Sequence, residues 1–215
     1  MSKPDYEEIA RIFSIEHYKS HEDGEDEFSK ESFYFYKFGN KKDKFVEKLV
    51  ELYNLRFKDD SFKFDFVSLY PTRKKDGLND NMVSLVKDFC EKTELEYKQI
   101  IKRNRTIKPS HELKTFSERI ENLKDSLDII EDIKDKNILL IDNNAITGIS
   151  LVDATNFLLI NGAKEVVCMT LGIGYKGRES DWDDLNHTLK YSKIKNICKT
   201  PFVPKEKREE WKKTQ

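Results

Sequence analysis

Residues 138–150 read ILLIDNNAITGIS: one carboxylate after an apolar run, then two amides, then Thr147, Gly148 and Ser150. Small hydroxyl residues around a glycine suit an oxyanion, because the hydroxyls donate hydrogen bonds and the glycine permits close approach or a positive φ. A helix opening near Ser150 would add its unpaired N–H groups, making a cradle for a monoester phosphate. Asp142 would repel a phosphate inside that cradle. It belongs one step back, accepting bonds from sugar hydroxyls or holding a hydrated Mg2+. A phosphorylated ribose satisfies both halves. The plainer alternative is that Asn143 and Asn144 turn the chain and Ser150 caps a helix. The stretch is no P-loop, which needs a Gly-rich loop ending in Lys–Ser/Thr, and GIG at 172–174 is too short for a dinucleotide fingerprint.

The elements around it must hold this junction at a strand end. NILLI (137–141) is almost continuously apolar, as a strand covered on both faces should be. SLVDATNFLLIN reads as a buried helix, Gly162 ends it, and KEVVCMTLGIG supplies the next strand, completing a βαβ unit. In an open parallel sheet, ligands sit outside the carboxyl ends of the strands, where Asp142 falls. Upstream, FDFVSLYP (64–71) predicts a strand followed by the basic loop TRKKDGLND. Asn79 or Asp80 is placed to cap a helix carrying Met82, Leu85, Val86 and Phe89. FYFYKFG (33–39) reads as a strand closed by Gly39, and Phe45, Leu49, Leu52 and Tyr53 mark a helix after it. The opening stretch, 1–31, reads as polar, with HEDGEDE (21–27) an acidic loop or tail. Residues 98–126 have a short apolar start and then weak periodicity, the pattern of a lid or binding loop. The fold class is therefore α/β with a mainly parallel central sheet flanked by helices. We divide the chain into an N-terminal segment (1–60), a core (61–175) and a charged extension (176–215), whose end from Pro201 reads as a short helix or disordered tail.

Composition narrows the function classes. The 215 residues carry 39 Lys and Arg against 40 Asp and Glu, a formal net charge of −1, so global charge does not favour a nucleic-acid binder. No apolar run approaches a membrane span, and the start, MSKPDYEEIA, has no signal-like region. Cys90, Cys168 and Cys198 are too scattered for a zinc pattern or a disulfide framework, consistent with a cytoplasmic setting.

ILLIDNNAITGIS resembles the PRPP-binding motif of type I phosphoribosyltransferases: a hydrophobic strand, two acids, then small residues ending in T-G-x-T/S. YPTRKKDGLND (70–80) is similar to the loop after the first core strand in the ComF-like branch, with Gly77-Leu78-Asn79 in place of its Gly-aromatic-Asn. RTIKPSHELKTFSERIENL (105–123) resembles that branch's flexible-loop segment in its spacing of Arg105, Thr106, Leu113, Arg119 and Asn122. Four departures stand out. Asn143 replaces the second acid, Ile146 the first Thr of T-T-G, and His111 the usual Gln, while residues 1–31 lack the branch's cysteine cluster.

The resemblance implies a type I phosphoribosyltransferase fold with a long flexible lid loop. It also implies displacement of pyrophosphate from C1 of 5-phosphoribosyl 1-diphosphate (PRPP) by a nitrogen nucleophile, nucleobase-like in kind, with Mg2+. It assigns Asp142, Asn143 and Arg105 to catalysis, with Asp142 also toward Mg2+, mostly through substrate and water. It assigns Asn144, Ala145, Ile146, Thr147, Gly148, Ile149 and Ser150 to the phosphate, and Arg73, Lys74 and Lys75 to the pyrophosphate. Arg103 and Lys108 would join Arg105 in closing over it. His111 is either a general acid–base or simply polar, and Arg119 and Asn122, spaced i,i+3, anchor the lid. A hood for the acceptor would come from the N-terminal segment (1–60) or from the chain after 175, where Tyr175 and Trp182 are aromatic candidates. A homodimer stays open. The alternatives are a PRPP- or nucleotide-sensing module, favoured by Asn143, and a ComF-like accessory protein on single-stranded DNA, supported only by the basic run Lys98–Lys108.

Overall fold

The elements follow in the order β1 (Glu8–Tyr18), α1 (Glu27–Phe38), α2 (Lys42–Phe57), β2 (Phe66–Leu69), α3 (Asp80–Thr93), β3 (Ile101–Arg103), α4 (Phe116–Leu123), β4 (Leu127–Ile129), β5 (Asn137–Ala145), α5 (Ile149–Ile160), β6 (Glu165–Gly174) and β7 (Asn186–Lys190). The structure, a computed structural model, describes residues 8–19, 24–58, 63–174 and 186–190. The expectations for His21–Asp23, Tyr175, Trp182, Cys198 and the tail from Pro201 fall outside them.

Five strands make one sheet in the order β2-β5-β6-β1-β7, and β3 and β4 make a separate two-stranded ribbon. β2–β5, β5–β6 and β6–β1 are parallel, while β7 joins β1 antiparallel. The α/β fold with a mainly parallel sheet is as expected. Alternation along the strands sends Ile12, Ile138, Leu140 and Cys168 to one face, with Leu151, Val152 and Leu158 of α5. Phe13, Leu139, Ile141 and Met169 go to the other, with Phe35, Leu49, Leu85 and Phe89 of α1, α2 and α3. The sheet is thus filled in on both sides, which is why β5 and β6 read as unbroken apolar runs. Cys90 and Cys168 are free, buried thiols, pushed up to about 12 by burial.

Three expectations change. FYFYKF is the second half of a helix and not a strand: Asp26 caps it by accepting from Ser29 N at 2.8 Å, and Gly39 closes it at φ 77°. Of its aromatic run only Phe35 is fully buried, while Phe33, Tyr34 and Phe38 are exposed. The aromatic strand preference loses to caps at both ends and to a pair of lysines, Lys41 and Lys44, that grip the buried Glu31. The opening stretch, 1–31, read as polar, carries a strand of the main sheet: β1, whose Ala10 and Ile12 face one core and Phe13 the other. Finally, β5 does not stop at Asp142 but runs on to Ala145 beside Gly172 and Ile173. A Cβ at Gly172 would lie 2.3 Å from Asn144 Oδ1, and one at Gly174 2.5 Å from the Ile146 carbonyl oxygen. The two glycines of GIG are there for this close approach. Among the described residues, no helix is long and apolar enough to cross a membrane.

Candidate active site at the carboxyl edge of the sheet

Parallel pairing of β2 with β5 puts their carboxyl ends side by side, and Tyr70 N donates to the Ile141 carbonyl at 2.8 Å. The residues that follow each strand therefore open onto the same space. There lies a cavity of about 650 Å3, within the usual range for small-molecule sites, whose lining includes Arg73, Lys74, Asp142, Asn143, Asn144 and Ser150. Residues 98–126 supply the facing wall through Arg103, Lys108, Ser110 and His111.

The loop after β2 and the start of that excursion are stitched together. Ile107 N donates to Arg73 O (2.9 Å), Lys75 N to Thr106 Oγ1 (3.1 Å) and Asp76 N to Arg103 O (2.9 Å). Gly77 is required here, because a Cβ would sit 2.5 Å from Thr72 Oγ1. Asn79 accepts from Met82 N at 3.0 Å and so caps α3, as its position after the loop suggests. The excursion is no open loop. β3 and β4 zip its ends, Thr115 and Glu118 form a capping box on α4, and Ile107, Ile120 and Leu123 pack on Ile149 at the start of α5. Asn122 bonds Lys108 reciprocally at 3.0 Å, and Arg119 reaches the Leu113 carbonyl, so both serve as anchors within the excursion.

Gly148 takes φ 70° and starts α5 without a side-chain cap, leaving the first-turn N–H groups without one. Ser150 faces the large cavity. Thr147 and Ile149 instead face, with Ser150, a gap of about 20 Å3 closed by Ser110, Leu113, Arg119 and Leu123. The cradle side of the junction is thus covered by the excursion. Lys75 and Arg105 do not line the cavity: Arg105 donates to the carbonyls of Asn122 (3.1 Å) and Lys124 (2.8 Å), holding the end of α4. Ala145, Ile146 and Gly148 do not line it either.

The buried charge is in the cavity wall itself. Arg103, 1% exposed, bonds Ser126 Oγ and the Tyr70 hydroxyl, while its Nε finds no partner. Burial pushes Asp142 up to about 7, against the bond from Asn143 N and the Arg103 charge; Asp153 on α5 is raised to about 7 in the same way, and Tyr70 to about 12. Tyr70, Asp153, and Tyr36 from α1 were not singled out by sequence. Tyr70 could have been found by applying the strand-end rule to β2, and Asp153 as the residue one turn beyond Ser150. Among the described residues, no group of three His, Cys, Asp or Glu could hold a metal by itself. The donor set in the cavity is a single carboxylate, Asp142, which fits a magnesium ion held mainly by phosphate and water.

No family model matches the chain, and no curated protein matches it. Among solved structures it is similar to a hypoxanthine-guanine phosphoribosyltransferase from Bacillus anthracis, at 16% identity and a TM-score of 0.43, over 66% of this chain and 73% of that one. It is also similar to a hypoxanthine phosphoribosyltransferase from Staphylococcus aureus (14%, TM-score 0.41, 65% and 68%). A third likeness is to the allosteric regulatory enzyme of purine biosynthesis (19%, TM-score 0.39), covering 60% of this chain but only 25% of that one. At these values function has to be read from the site itself.

Proposed function

We propose that this chain binds PRPP and transfers its phosphoribosyl group to a nitrogen nucleophile, with release of pyrophosphate. The observation that carries the proposal is one cavity gathering Asp142, Asn143 and Ser150 with Arg73, Lys74 and Lys108. The motif resemblance at 138–150 supplies the chemistry. In this reading the 5′-phosphate sits at the uncapped start of α5, on the N–H groups and hydroxyls around Thr147, Gly148 and Ser150. Asp142 and Asn143 accept and donate to the ribose hydroxyls, and Arg73 and Lys74 face the diphosphate as it gains charge. The nucleophile's lone pair forms the new C1–N bond as the C1–O bond breaks, and the electron pair leaves with pyrophosphate. Mg2+, carried by the diphosphate and water with Asp142 as its protein carboxylate, supplies neutralising charge. Lys108 and His111 border the diphosphate from the excursion, which excludes water that would hydrolyse PRPP. Arg105 contributes by holding that excursion to the end of α4.

The covered cradle favours a second reading, a sensor whose excursion moves when PRPP arrives. Calorimetric titration with PRPP, with and without Mg2+, followed by assay of pyrophosphate release across a panel of nucleobases, separates the two. Binding with turnover is the expected result. Saturable binding with no release for any base would mean a sensor, and no binding would refute both.

A further inference from the structure

One wall of the cavity is unlike the rest. Arg73, Lys74, Lys108 and Ser150 suit anions, whereas Tyr36 and Leu78 suit a flat apolar surface. Leu78 is 36% exposed and lines the same cavity as Tyr36. Tyr36 comes from the last turn of α1, and its ring is half-buried, close enough to Asp142 for that carboxylate to help raise its phenol. The position is held firmly. The Tyr36 carbonyl accepts from Asn79 Nδ2 and from Asn81 Nδ2, each at 3.1 Å, and Gly39 ends the helix three residues later against Asn81. Asn79 donates to Tyr36 O and accepts from Met82 N, so it ties the wall to the start of α3.

We propose that Tyr36, together with Leu78, is a specificity-determining surface on which a planar heteroaromatic acceptor of nucleobase size lies beside the ribose site. The inference rests on the phosphoribosyl reading of the same cavity and names its acceptor class and the residue that selects it. A ring fixed at a helix end offers contact area at little entropic cost, and aromatic stacking needs no particular pattern of edge groups. Asn81 is then a positioning residue for Tyr36.

Ribose 5-phosphate and the monophosphates AMP, GMP, IMP, CMP and UMP share the phosphoribosyl part and differ in the base. Calorimetric affinities are compared for the native chain and for Tyr36→Ala, Tyr36→Phe, Leu78→Ala and Asn81→Ala. At least one monophosphate should bind roughly tenfold tighter than ribose 5-phosphate. Tyr36→Ala should erase that advantage while leaving ribose 5-phosphate affinity unchanged; Tyr36→Phe should keep it within about threefold, with Leu78→Ala and Asn81→Ala in between. An advantage that survives Tyr36→Ala, an equal loss for ribose 5-phosphate, or no monophosphate exceeding ribose 5-phosphate would each overturn the assignment. Failure of ribose 5-phosphate itself to bind the native chain would instead remove the phosphoribosyl reading, and this inference with it.

Discussion

Residues 137–150 and residues 98–126 border one cavity but reach it by different physical routes. The first region is a buried parallel strand running into an uncapped helix, and the sheet places its polar groups from Asn137 to Asn144. The second has a three-residue strand leading in, another just after it, and one short helix. It is held by bonds to the loop after β2, by side-chain bonds within itself and by a small cluster on Ile149. The same contrast recurs inside the second region, in two arginines two residues apart. Arg103 ends β3 on the same face as Ile101, so strand alternation turns it inward, where it spans Tyr70 and Ser126. Arg105 lies beyond the strand and is spent on exposed carbonyls of the excursion. The strand fixes its arginine by burying it, whereas the chain beyond the strand fixes one by tying it to neighbouring carbonyls.

Four substitutions sharpen or break this comparison. Gly148→Val is expected to have the largest effect: a β-branched residue at φ 70° cannot hold the start of α5, and PRPP binding should be lost while circular dichroism shows a folded chain. Undiminished affinity would remove residues 147–150 as the cradle. Next, Arg103→Ala should lower stability by roughly 2–3 kcal/mol, because the buried Tyr70 and Ser126 hydroxyls each lose a charged donor, against less than about 1 kcal/mol for Arg105→Ala. Equal midpoints in urea would break the distinction between the two arginines. Asn143→Asp should then tighten PRPP binding several-fold in Mg2+ and not without it, read by titration; weaker binding would mean that Asn143 does not face the ribose or the ion.

The smallest effect concerns pH. Asp153 is raised to about 7 in the folded chain, so between its unfolded value near 4 and pH 7 the native state binds the extra proton. Stability therefore falls as pH rises through that window. Asp153→Asn should remove roughly 1–2 kcal/mol of the loss between pH 5 and pH 7.5, measured by denaturant midpoints. An unchanged slope would show that this carboxyl is ionised on the folded chain and that its surroundings are wetter than its burial implies.

How much was legible in the sequence follows from the same contrast. Apolar runs such as NILLI and KEVVCMTLGIG declare strands covered on both faces, and Asn79 and Gly162 mark element ends, so the βαβ unit and the place of Asp142 could be read directly. α1 could not, because FYFY favours strand locally and only Asp26 and Gly39 at its ends, with Glu31 paired across to Lys41 and Lys44, decide for helix. That misreading concealed Tyr36. The extension of β5 past Asp142 was hidden for another reason: it depends on missing side chains at Gly172 and Gly174, a steric fact about a neighbouring strand. In the excursion, type and spacing identified basic groups, but choosing Arg103 over Arg105 needed the register of β3.

The measurement that tests the central claim most directly is a backbone amide NMR titration of the native chain with ribose 5-phosphate. The account predicts saturable shifts concentrated at the amides of Thr147–Leu151 and at Asp142 and Asn143, with smaller changes at Ile107 and Leu123 as the covering excursion responds. Saturable shifts confined to other parts of the chain, or none at all, would contradict it.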